Sequence, residues 1–426
     1  MTTDTIFALS TGRPPAAVAI VRTSGPKAHD AARLLTRLPP PRRAALRTLR
    51  DPGDGRVIDE ALVLRFDGPE SATGEDVVEY QCHGGRAVVD ALLSTLGAID
   101  GLREAEPGEF TRRAFANGRI DLTEAEGLAD LLEAETEAQR RAALTLASGG
   151  FKRQIKTWQS RLVELSARAE AAIDYVDEDE VGGGNATLAD DARSLAGELS
   201  EWLAWPRIEP LRDGVRVVVA GPTNAGKSSL INAIAESDRA IVTDIPGTTR
   251  DTIEVPLAIG GVPFVLVDTA GLRDTDDQVE RIGIDRARGA FASADILLWL
   301  GDPVDVPEHQ RPITVQSKAD LDGVRPLAGA IAVSAVTRAG IDALVARIVE
   351  LSRSLLPGED ALALNRRQAA ALAEVETALR GASTTADIVL VADHLRSARN
   401  ALDRLTGRSG VEDMLDALFG RFCLGK

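Results

Sequence analysis

One stretch of this chain, from Val215 to Leu230, limits what the protein can fold into more than any other. It reads VRVVVAGPTNAGKSSL: a β-branched run, the pattern G-x-x-x-x-G-K-S, and the start of an apolar-periodic segment. A loop of this kind between a strand and a helix surrounds phosphate groups, because its glycines let backbone N–H groups turn inward and the helix adds its positive N-terminal dipole. We expect Lys227 to contact the β- and γ-phosphates and Ser228 to bind Mg²⁺. The sequence therefore predicts a nucleotide-binding domain.

The composition limits the partners that such a domain can have. The chain has 426 residues, a formal net charge of −16 and only 4% aromatic residues. An acidic surface repels phosphate backbones and few side chains are available for base stacking, so any nucleic-acid role needs a local basic patch or a basic partner protein. No apolar run has the length of a membrane span, and no secretory signal is recognisable. Because Cys82 and Cys423 are far apart, we expect no disulfide framework and a cytoplasmic location.

The sequence pattern predicts a multidomain protein, with an α/β N-terminal domain, an α-helical bundle and an inserted α/β P-loop domain. Residues 1–120 contain strand-like runs at Ala17–Arg22, Val57–Phe66 and Asp76–Gln81, followed by a helix at Arg86–Leu96. Residues 121–212 are rich in alanine and leucine. One set of apolar residues there recurs at three- and four-residue steps, which is typical of a bundle helix: Ile155, Trp158, Leu162, Leu165, Ala169, Ala172 and Val176.

Residues 213–357 form the predicted nucleotide domain, and the helical pattern returns in residues 358–426. We expect Gly182–Gly184 to end the long helix, and further helices over Leu188–Trp205 and Val411–Phe422. The simplest arrangement is one bundle of helices from both sides, into which the nucleotide domain is inserted. Movement driven by the nucleotide would then reach the bundle.

Further segments in the nucleotide domain identify the base as guanine. Asp268, at the end of a buried strand, can hold the Mg²⁺ shell, Gly271 can contact the γ-phosphate and Thr249 can close on Mg²⁺. Asp320 can accept hydrogen bonds from guanine N1–H and N2–H₂, which adenine does not offer. The residues expected to contact GTP on these grounds are Asn224, Ala225, Gly226, Lys227, Ser228, Ser229, Gly247, Thr248, Thr249, Asp268, Thr269, Ala270, Gly271, Lys318, Asp320, Ser334 and Ala335.

Two positions depart from the usual pattern of such GTPases. Ser317 stands where asparagine is usual, and we expect its shorter side chain to lose a hydrogen bond that ties the base loop to the phosphate loop, with weaker nucleotide affinity. Leu272 stands where Ras-like enzymes have a water-orienting glutamine. We therefore favour Glu280 as the residue that acts on the hydrolytic water. Since no arginine finger can be identified, a cation or a dimer partner would neutralise the developing charge.

Taken together, the sequence resembles the tRNA-modification GTPases of the MnmE (TrmE) family, which belong to the TrmE-Era-EngA type of P-loop GTPases. The likeness covers the phosphate loop, Gly247-Thr248-Thr249-Arg250-Asp251, the insertion and the terminal Cys423-Leu424-Gly425-Lys426. It also includes His83-Gly84-Gly85 and Gly108-Glu109-Phe110-Thr111 in the N-terminal domain.

The resemblance implies a homodimer that works with the FAD-containing protein MnmG. Together the two proteins add an aminomethyl or carboxymethylaminomethyl group to C5 of the wobble uridine (U34) of certain tRNAs. Because this chain is acidic, we expect the partner to hold most of the tRNA. A 5-formyl- or 5,10-methylene-tetrahydrofolate binds the first domain in this family. The matching folate-binding positions are Arg22, Glu79, Arg119 and Lys426.

The resemblance also implies that K⁺ binding pairs the GTPase domains across the dimer. The resemblance adds Thr243, Asp244, Ile245 and Pro246 to the expected GTP contacts. The K⁺ ligands would be Asn224 and oxygens of Thr243, Ile245 and Thr248, and the Mg²⁺ ligands Ser228 and Thr249. Glu280 matches the family residue that acts on water, and hydrolysis should be much faster in K⁺ than in Na⁺. Cys423 matches a thiol near the folate pocket for which a chemical role is suspected.

Two alternatives remain. A ribosome-assembly GTPase would be a binding switch without modification chemistry, but such proteins usually carry an RNA-binding module and this chain shows no basic one. An ATP-dependent kinase would use the same phosphate loop, although Asp320 favours guanine over adenine.

Overall fold

The structure is a computed structural model that describes residues 4–174, 182–237, 240–242, 253–269, 291, 293–322, 325–358, 361–408, 412–420, 422 and 425. The chain separates into two compact units, one made of Met1–Ala129 and Asp403–Lys426 and the other of Asp130–Leu402. In the part of the chain just given, no helix is both long and apolar enough to cross a membrane.

The elements are numbered in chain order. The strands are β1 (Thr5–Leu9), β2 (Val18–Ser24), β3 (Ala45–Arg50), β4 (Val57–Phe66), β5 (Val77–His83), β6 (Leu102–Glu104), β7 (Val215–Ala220), β8 (Ala240–Val242), β9 (Ile253–Ile259), β10 (Val262–Asp268), β11 (Ile296–Trp299), β12 (Pro312–Gln316) and β13 (Ile331–Ala332). The α-helices are α1 (Ala28–Leu35), α2 (Arg86–Gly97), α3 (Glu109–Ala116), α4 (Leu122–Glu133), α5 (Glu137–Ala147), α6 (Gly150–Asp174), α7 (Gly182–Ala204), α8 (Glu209–Arg212), α9 (Lys227–Ala235), α10 (Ile341–Ser352), α11 (Arg366–Thr384), α12 (Ile388–Thr406) and α13 (Glu412–Phe419); Pro303–Asp305 is a 3₁₀ turn.

The first unit contains a sheet whose described strands follow the order β3-β4-β5-β2-β1-β6. Only the β1–β6 pair is parallel among these neighbours. Residues of β2, β4 and β5 alternate between buried and more exposed, as a sheet with one covered face requires. The covered face packs against α1 and α2 through side chains such as Val21, Tyr80 and Leu92.

The last helix, α13, also packs in the first unit. Phe419 and Phe422 join Leu122 of α4 in one apolar cluster. Gly108, with φ +72°, begins α3 next to this cluster, and a Cβ at that position would lie 2.1 Å from the Phe419 carbonyl oxygen. Glycine is therefore required there for the backbone to approach so closely.

Helices from both sides of the nucleotide domain pack together in the second unit, as the insertion hypothesis requires. Helix α7, which precedes the domain, packs against α11, which follows it, and against α6. The predicted stripe of α6 is buried from Ile155 to Ala169, and the Trp158 indole donates to the Glu198 carboxylate at 2.8 Å.

One helix boundary in this unit was predicted wrongly. Gly182–Gly184 begin α7, whereas the sequence analysis expects them to end the helix before it. Glycine is costly in a helix interior, but the first turn leaves its N–H groups without helical partners in any case. The following turns, packed through Leu188, Leu195 and Leu199, then set the backbone of this end.

The nucleotide domain is built on a sheet with the described order β13-β12-β11-β7-β10-β9-β8. Strand β7 lies between two parallel neighbours, β11 and β10. Its valines are buried on both faces, because Val217 and Val219 belong to one core and Val218 to the other. A continuous β-branched run is the expected sequence of a parallel strand covered on both sides.

Candidate functional site

The phosphate loop follows β7 at the carboxyl edge of the sheet. Gly221 has φ +149°, and a Cβ there would lie 2.7 Å from the Leu300 carbonyl oxygen. Asn224 and Gly226 also have positive φ, +61° and +91°, and α9 begins directly after Gly226. These left-handed residues turn the backbone around the N-terminus of a helix, which is the arrangement that binds phosphate.

Lys227 lies inside this loop. Its side chain is buried, and its ammonium donates to the carbonyl oxygens of Gly221 at 3.1 Å and Pro222 at 2.8 Å. These bonds hold a positive charge within the curve of the loop, where a phosphate group would lie. A lysine acts there as a point charge for phosphate oxygens.

Ser228 and Asp268 meet at the ends of two adjacent parallel strands. The Ser228 hydroxyl donates to Asp268 Oδ2 at 2.6 Å, and Asp268 is 1% exposed. The next residue, Thr269, donates to the Val219 carbonyl at 2.9 Å, which fixes the end of β10 against β7. A hydroxyl and a carboxylate side by side are the hard oxygen ligands that Mg²⁺ prefers.

The base loop after β12 is tied directly to the phosphate loop. Ser317 Oγ donates to the Ala225 carbonyl at 2.6 Å, and Lys318 Nζ donates to the Asn224 carbonyl at 2.9 Å. The expectation that Ser317 loses such a bond was therefore wrong. The two loops are close enough for a short side chain to bridge them, since Ser317 Oγ would lie 3.9 Å from a Cβ added at Gly226.

The other described members of the predicted base site lie around this loop. Asp320 is exposed, and Ser334 is buried with its hydroxyl accepting from the Thr337 N–H at 3.0 Å. The Ala319 N–H donates to the Val333 carbonyl at 3.0 Å, which joins the two segments. Ala335 is half-buried and Ser229 is exposed on α9.

Several predicted site residues lie outside the described residues. They are Thr243, Asp244, Ile245, Pro246, Gly247, Thr248, Thr249, Ala270, Gly271, Glu280, Cys423 and Lys426. The nucleotide site as described thus consists of the phosphate loop, the end of β10 and the base loop.

Two of the predicted folate residues form an ion pair in the first unit. Arg22 and Glu79 face each other across β2 and β5, with Arg22 Nε donating to Glu79 Oε1 at 2.9 Å. Both side chains are largely buried, and the guanidinium lies 5.6 Å from the ring centre of Phe110. Arg119 is exposed, and its Cγ would lie 3.2 Å from a Cβ added at Gly74.

Gly425, the described residue of the C-terminal motif, lies against β1. The Gly425 carbonyl accepts from the Ser10 hydroxyl at 2.9 Å, and a Cβ at Gly425 would lie 2.1 Å from the Leu9 carbonyl oxygen. Leu9 ends β1, and the preceding residue of that strand, Ala8, pairs with Arg22. Gly425 therefore lies beside β1, the strand that pairs with the one carrying Arg22.

Sequence reasoning missed a buried ionic cluster that positions α3. Arg113 is 4% exposed, and its guanidinium donates to Glu109 at 2.9 Å, to Asp4 at 3.0 Å and to Glu75 at 3.3 Å. Arg103 also donates to Glu109, at 2.8 Å. The only sequence signal was a pair of charged residues, Glu109 and Arg113, spaced by four on a short helix.

This cluster shifts the titration of its acids. Burial raises the pKa of Glu109, but the bonds from Arg103, the Glu106 N–H and Arg113 outweigh it, so the net pKa is lowered. The pKa of Asp4 is lowered in the same way: burial opposes the shift, while Arg103 and Arg113 cause it. Both groups are therefore carboxylates at neutral pH.

Comparisons with known proteins cover the whole chain. A family model described as MnmE helical domain matches residues 122–423, and one described as GTP-binding protein TrmE N-terminus matches residues 5–119. The tRNA modification GTPase MnmE of Erythrobacter litoralis (strain HTCC2594) is 54% identical over 425 residues, which is 99% of this chain and 100% of that protein. Proteins of the same name from Novosphingobium aromaticivorans and Zymomonas mobilis subsp. mobilis are 52% and 49% identical; they match 100% and 99% of this chain and 100% of each relative.

Among solved structures, the G domain of the T. maritima FeoB iron transporter is 25% identical. It matches 32% of this chain and 98% of its own, with a TM-score of 0.23. At that TM-score the likeness adds nothing to the family relationship seen in the sequences.

Proposed function

We propose that this chain, which belongs to the tRNA modification GTPase MnmE family, binds GTP and hydrolyses it to GDP and phosphate during modification of wobble uridine. The proposal rests on one observation: Lys227, Ser228 and Asp268 lie together at the carboxyl ends of β7 and β10. Ligands of open parallel sheets bind at that edge.

Each described residue of the site has a separate task toward GTP. The loop from Gly221 to Gly226 directs N–H groups at the phosphates, and Lys227 neutralises charge on the β- and γ-phosphates. Ser228 and Asp268 supply oxygens that fit Mg²⁺, with Thr249 as the proposed third group. The ion, when bound, neutralises charge on the phosphate oxygens.

Charge developing on the γ-phosphate needs a further positive group. We assign this to K⁺ at Asn224, whose exposed side chain lies on the rim of the phosphate loop. Amide and carbonyl oxygens are suitable ligands for such an ion, and it supplies the charge that an arginine finger would. Thr243, Ile245 and Thr248 would complete the site in a homodimer, and Glu280 would orient the attacking water.

The N-terminal unit is assigned to a tetrahydrofolate. The Arg22–Glu79 pair, partly exposed beside Phe110, offers both donors and acceptors to the amino and carbonyl groups of a pterin. Arg119 and Lys426 would bind the carboxylates of the folate tail, and Cys423 would lie nearby. The anchoring of Gly425 beside Leu9 supports a C-terminal contribution to this site.

The proposed assembly is a cytoplasmic homodimer with the FAD-containing MnmG. With a net charge of −16, this chain is poorly suited to bind tRNA alone, so the partner would hold most of the RNA. The domains would be 1–120 for folate binding and dimerisation, 121–212 and 358–426 for the helical body, and 213–357 for GTP.

Two measurements test the function. Purified protein should hydrolyse GTP and not ATP, and cells lacking it should lose the C5 substituent of wobble uridine, as seen by mass spectrometry of tRNA nucleosides. A strain carrying Asp320→Asn should show the same loss, because the change removes the exposed carboxylate that is proposed to select guanine. Unchanged wobble uridines with intact GTP hydrolysis would contradict the proposal and favour a ribosome-assembly switch.

A further inference from the structure

The bond between Ser317 and the phosphate loop has a consequence for base recognition. A serine hydroxyl carries one proton, and Ser317 donates that proton to the Ala225 carbonyl at 2.6 Å. The Ser317 oxygen can therefore only accept further hydrogen bonds. Ser317 therefore has no second donor to offer a bound nucleotide.

The two edges of guanine require different partners. Asp320 can accept only from N1–H and N2–H₂, which share the Watson–Crick edge. N7 lies on the Hoogsteen edge, and with Asp320 holding the Watson–Crick edge it would be directed toward the start of the loop, three residues earlier. Ser317 is the residue at that start. Because N7 is an acceptor without a proton and the Ser317 proton is already used, no hydrogen bond forms between them.

The surrounding contacts keep Ser317 in this position. The Gln316 side chain donates to the Arg325 carbonyl at 2.7 Å and accepts from the Leu327 N–H at 2.9 Å. On the other side, Lys318 donates to the Asn224 carbonyl at 2.9 Å. Turning the Ser317 hydroxyl toward the base would leave the Ala225 carbonyl without this donor.

We propose that Asp320 reads guanine at its Watson–Crick edge and that Ser317 is a positioning residue that leaves N7 unread. The inference rests on the proposed binding of guanine nucleotides. It follows that guanine nucleotides altered at position 7 are ligands as good as the natural ones.

The test compares GDP with 7-deaza-GDP, in which a C–H group replaces N7, by isothermal titration of the full-length protein. The natural chain should bind both within about twofold. Ser317→Asn places a side-chain amide with two N–H donors at the loop, one for the Ala225 carbonyl and one for N7. This variant should prefer GDP to 7-deaza-GDP by about fivefold, the effect of one ordinary hydrogen bond. Ser317→Ala should weaken both nucleotides equally, since it removes only the tie between loops.

A preference of the natural chain for GDP above about twofold would overturn the proposal. Equal binding of the two nucleotides by Ser317→Asn would also overturn it, because N7 would then not face the start of the loop. Binding of ADP and of inosine diphosphate, which lacks the 2-amino group, distinguishes failure of the N7 inference from failure of the proposed guanine selectivity. Binding of ADP as tight as GDP would refute guanine selectivity itself, whatever the result with 7-deaza-GDP.

Discussion

Replacing Arg113 by methionine should destabilise α3 far more than the same change at its neighbour Arg112. The change removes the guanidinium that faces Glu109, Glu75 and Asp4 and leaves their carboxylates in a largely buried site. Breaking a buried ion pair from one side costs about 3–5 kcal/mol. Two observations favour the lower end of this energy range: Arg103 stays bonded to Glu109, and the Asp4 side chain is 35% exposed. We therefore expect about 3 kcal/mol.

Hydrogen exchange measured by mass spectrometry on the full-length protein can read this effect locally. A loss of about 3 kcal/mol corresponds to a roughly 100-fold increase in the opening of the Glu109–Ala116 segment. The matched control is Arg112→Met on the same helix. Its guanidinium is 46% exposed and pairs with exposed Asp416 at 2.7 Å, so its loss should cost less than about 1 kcal/mol.

The pH dependence shows whether charge causes the effect. The pKa of Glu109 is lowered in the folded protein. Its carboxylate therefore stabilises the fold at pH values above about 4.3, the ordinary pKa of glutamate, and this contribution is lost as the pH falls through the pKa of the folded state. The difference between the natural chain and Arg113→Met should therefore be largest at neutral pH and shrink in acid. Equal effects of Arg113→Met and Arg112→Met, or a difference that does not depend on pH, would refute the reasoning.

Three further predictions concern the nucleotide domain. Asp268→Asn keeps an acceptor for Ser228 but removes a charge that is 1% exposed, so the Mg²⁺ concentration for half-maximal GTP hydrolysis should rise about 10- to 100-fold. Hydrolysis should be much faster in K⁺ than in Na⁺, and Asn224→Ala should abolish that difference in phosphate-release assays; equal rates for the natural chain in both salts would contradict the cation site. Gly340→Ala should destabilise the domain by about 1–3 kcal/mol in urea unfolding, since Gly340 has φ +75° and a Cβ there would lie 2.0 Å from the Ala332 carbonyl oxygen.

Much of the fold was predictable because its signals are local. The strand at Val57–Phe66 was predicted with its correct bounds, and the helix at Arg86 extends one residue beyond the prediction. The family was also recognised correctly from the phosphate loop and the C-terminal motif. Strands β1, β3 and β6 were missed; they have only 5, 6 and 3 residues, and β6 pairs with β1 from a distant part of the chain. Pairing of that kind is set by the tertiary structure and leaves little local pattern.

The site was predictable in its residue types and not in its contacts. The sequence shows that Ser317 replaces asparagine, but whether a short hydroxyl reaches the phosphate loop depends on the distance between two loops from different parts of the chain. Arg113 is a similar case, because a charged residue on a short helix is usually solvated. Only the packing of α3 against Asp4 and Glu75 explains why it is buried.

The connections that enter and leave the nucleotide domain explain how an inserted domain can act on its surroundings. The Ile208 N–H donates to the Leu364 carbonyl at 3.1 Å, so the incoming and outgoing segments are bonded to each other. Before β7, the Arg212 carbonyl accepts from the Gln139 side chain of α5 at 3.1 Å. Since β7 ends in the phosphate loop, a shift of this strand would act on both connections and on α5. Insertion thus gives the nucleotide two covalent routes into the same helical body, whereas a terminal domain would have only one.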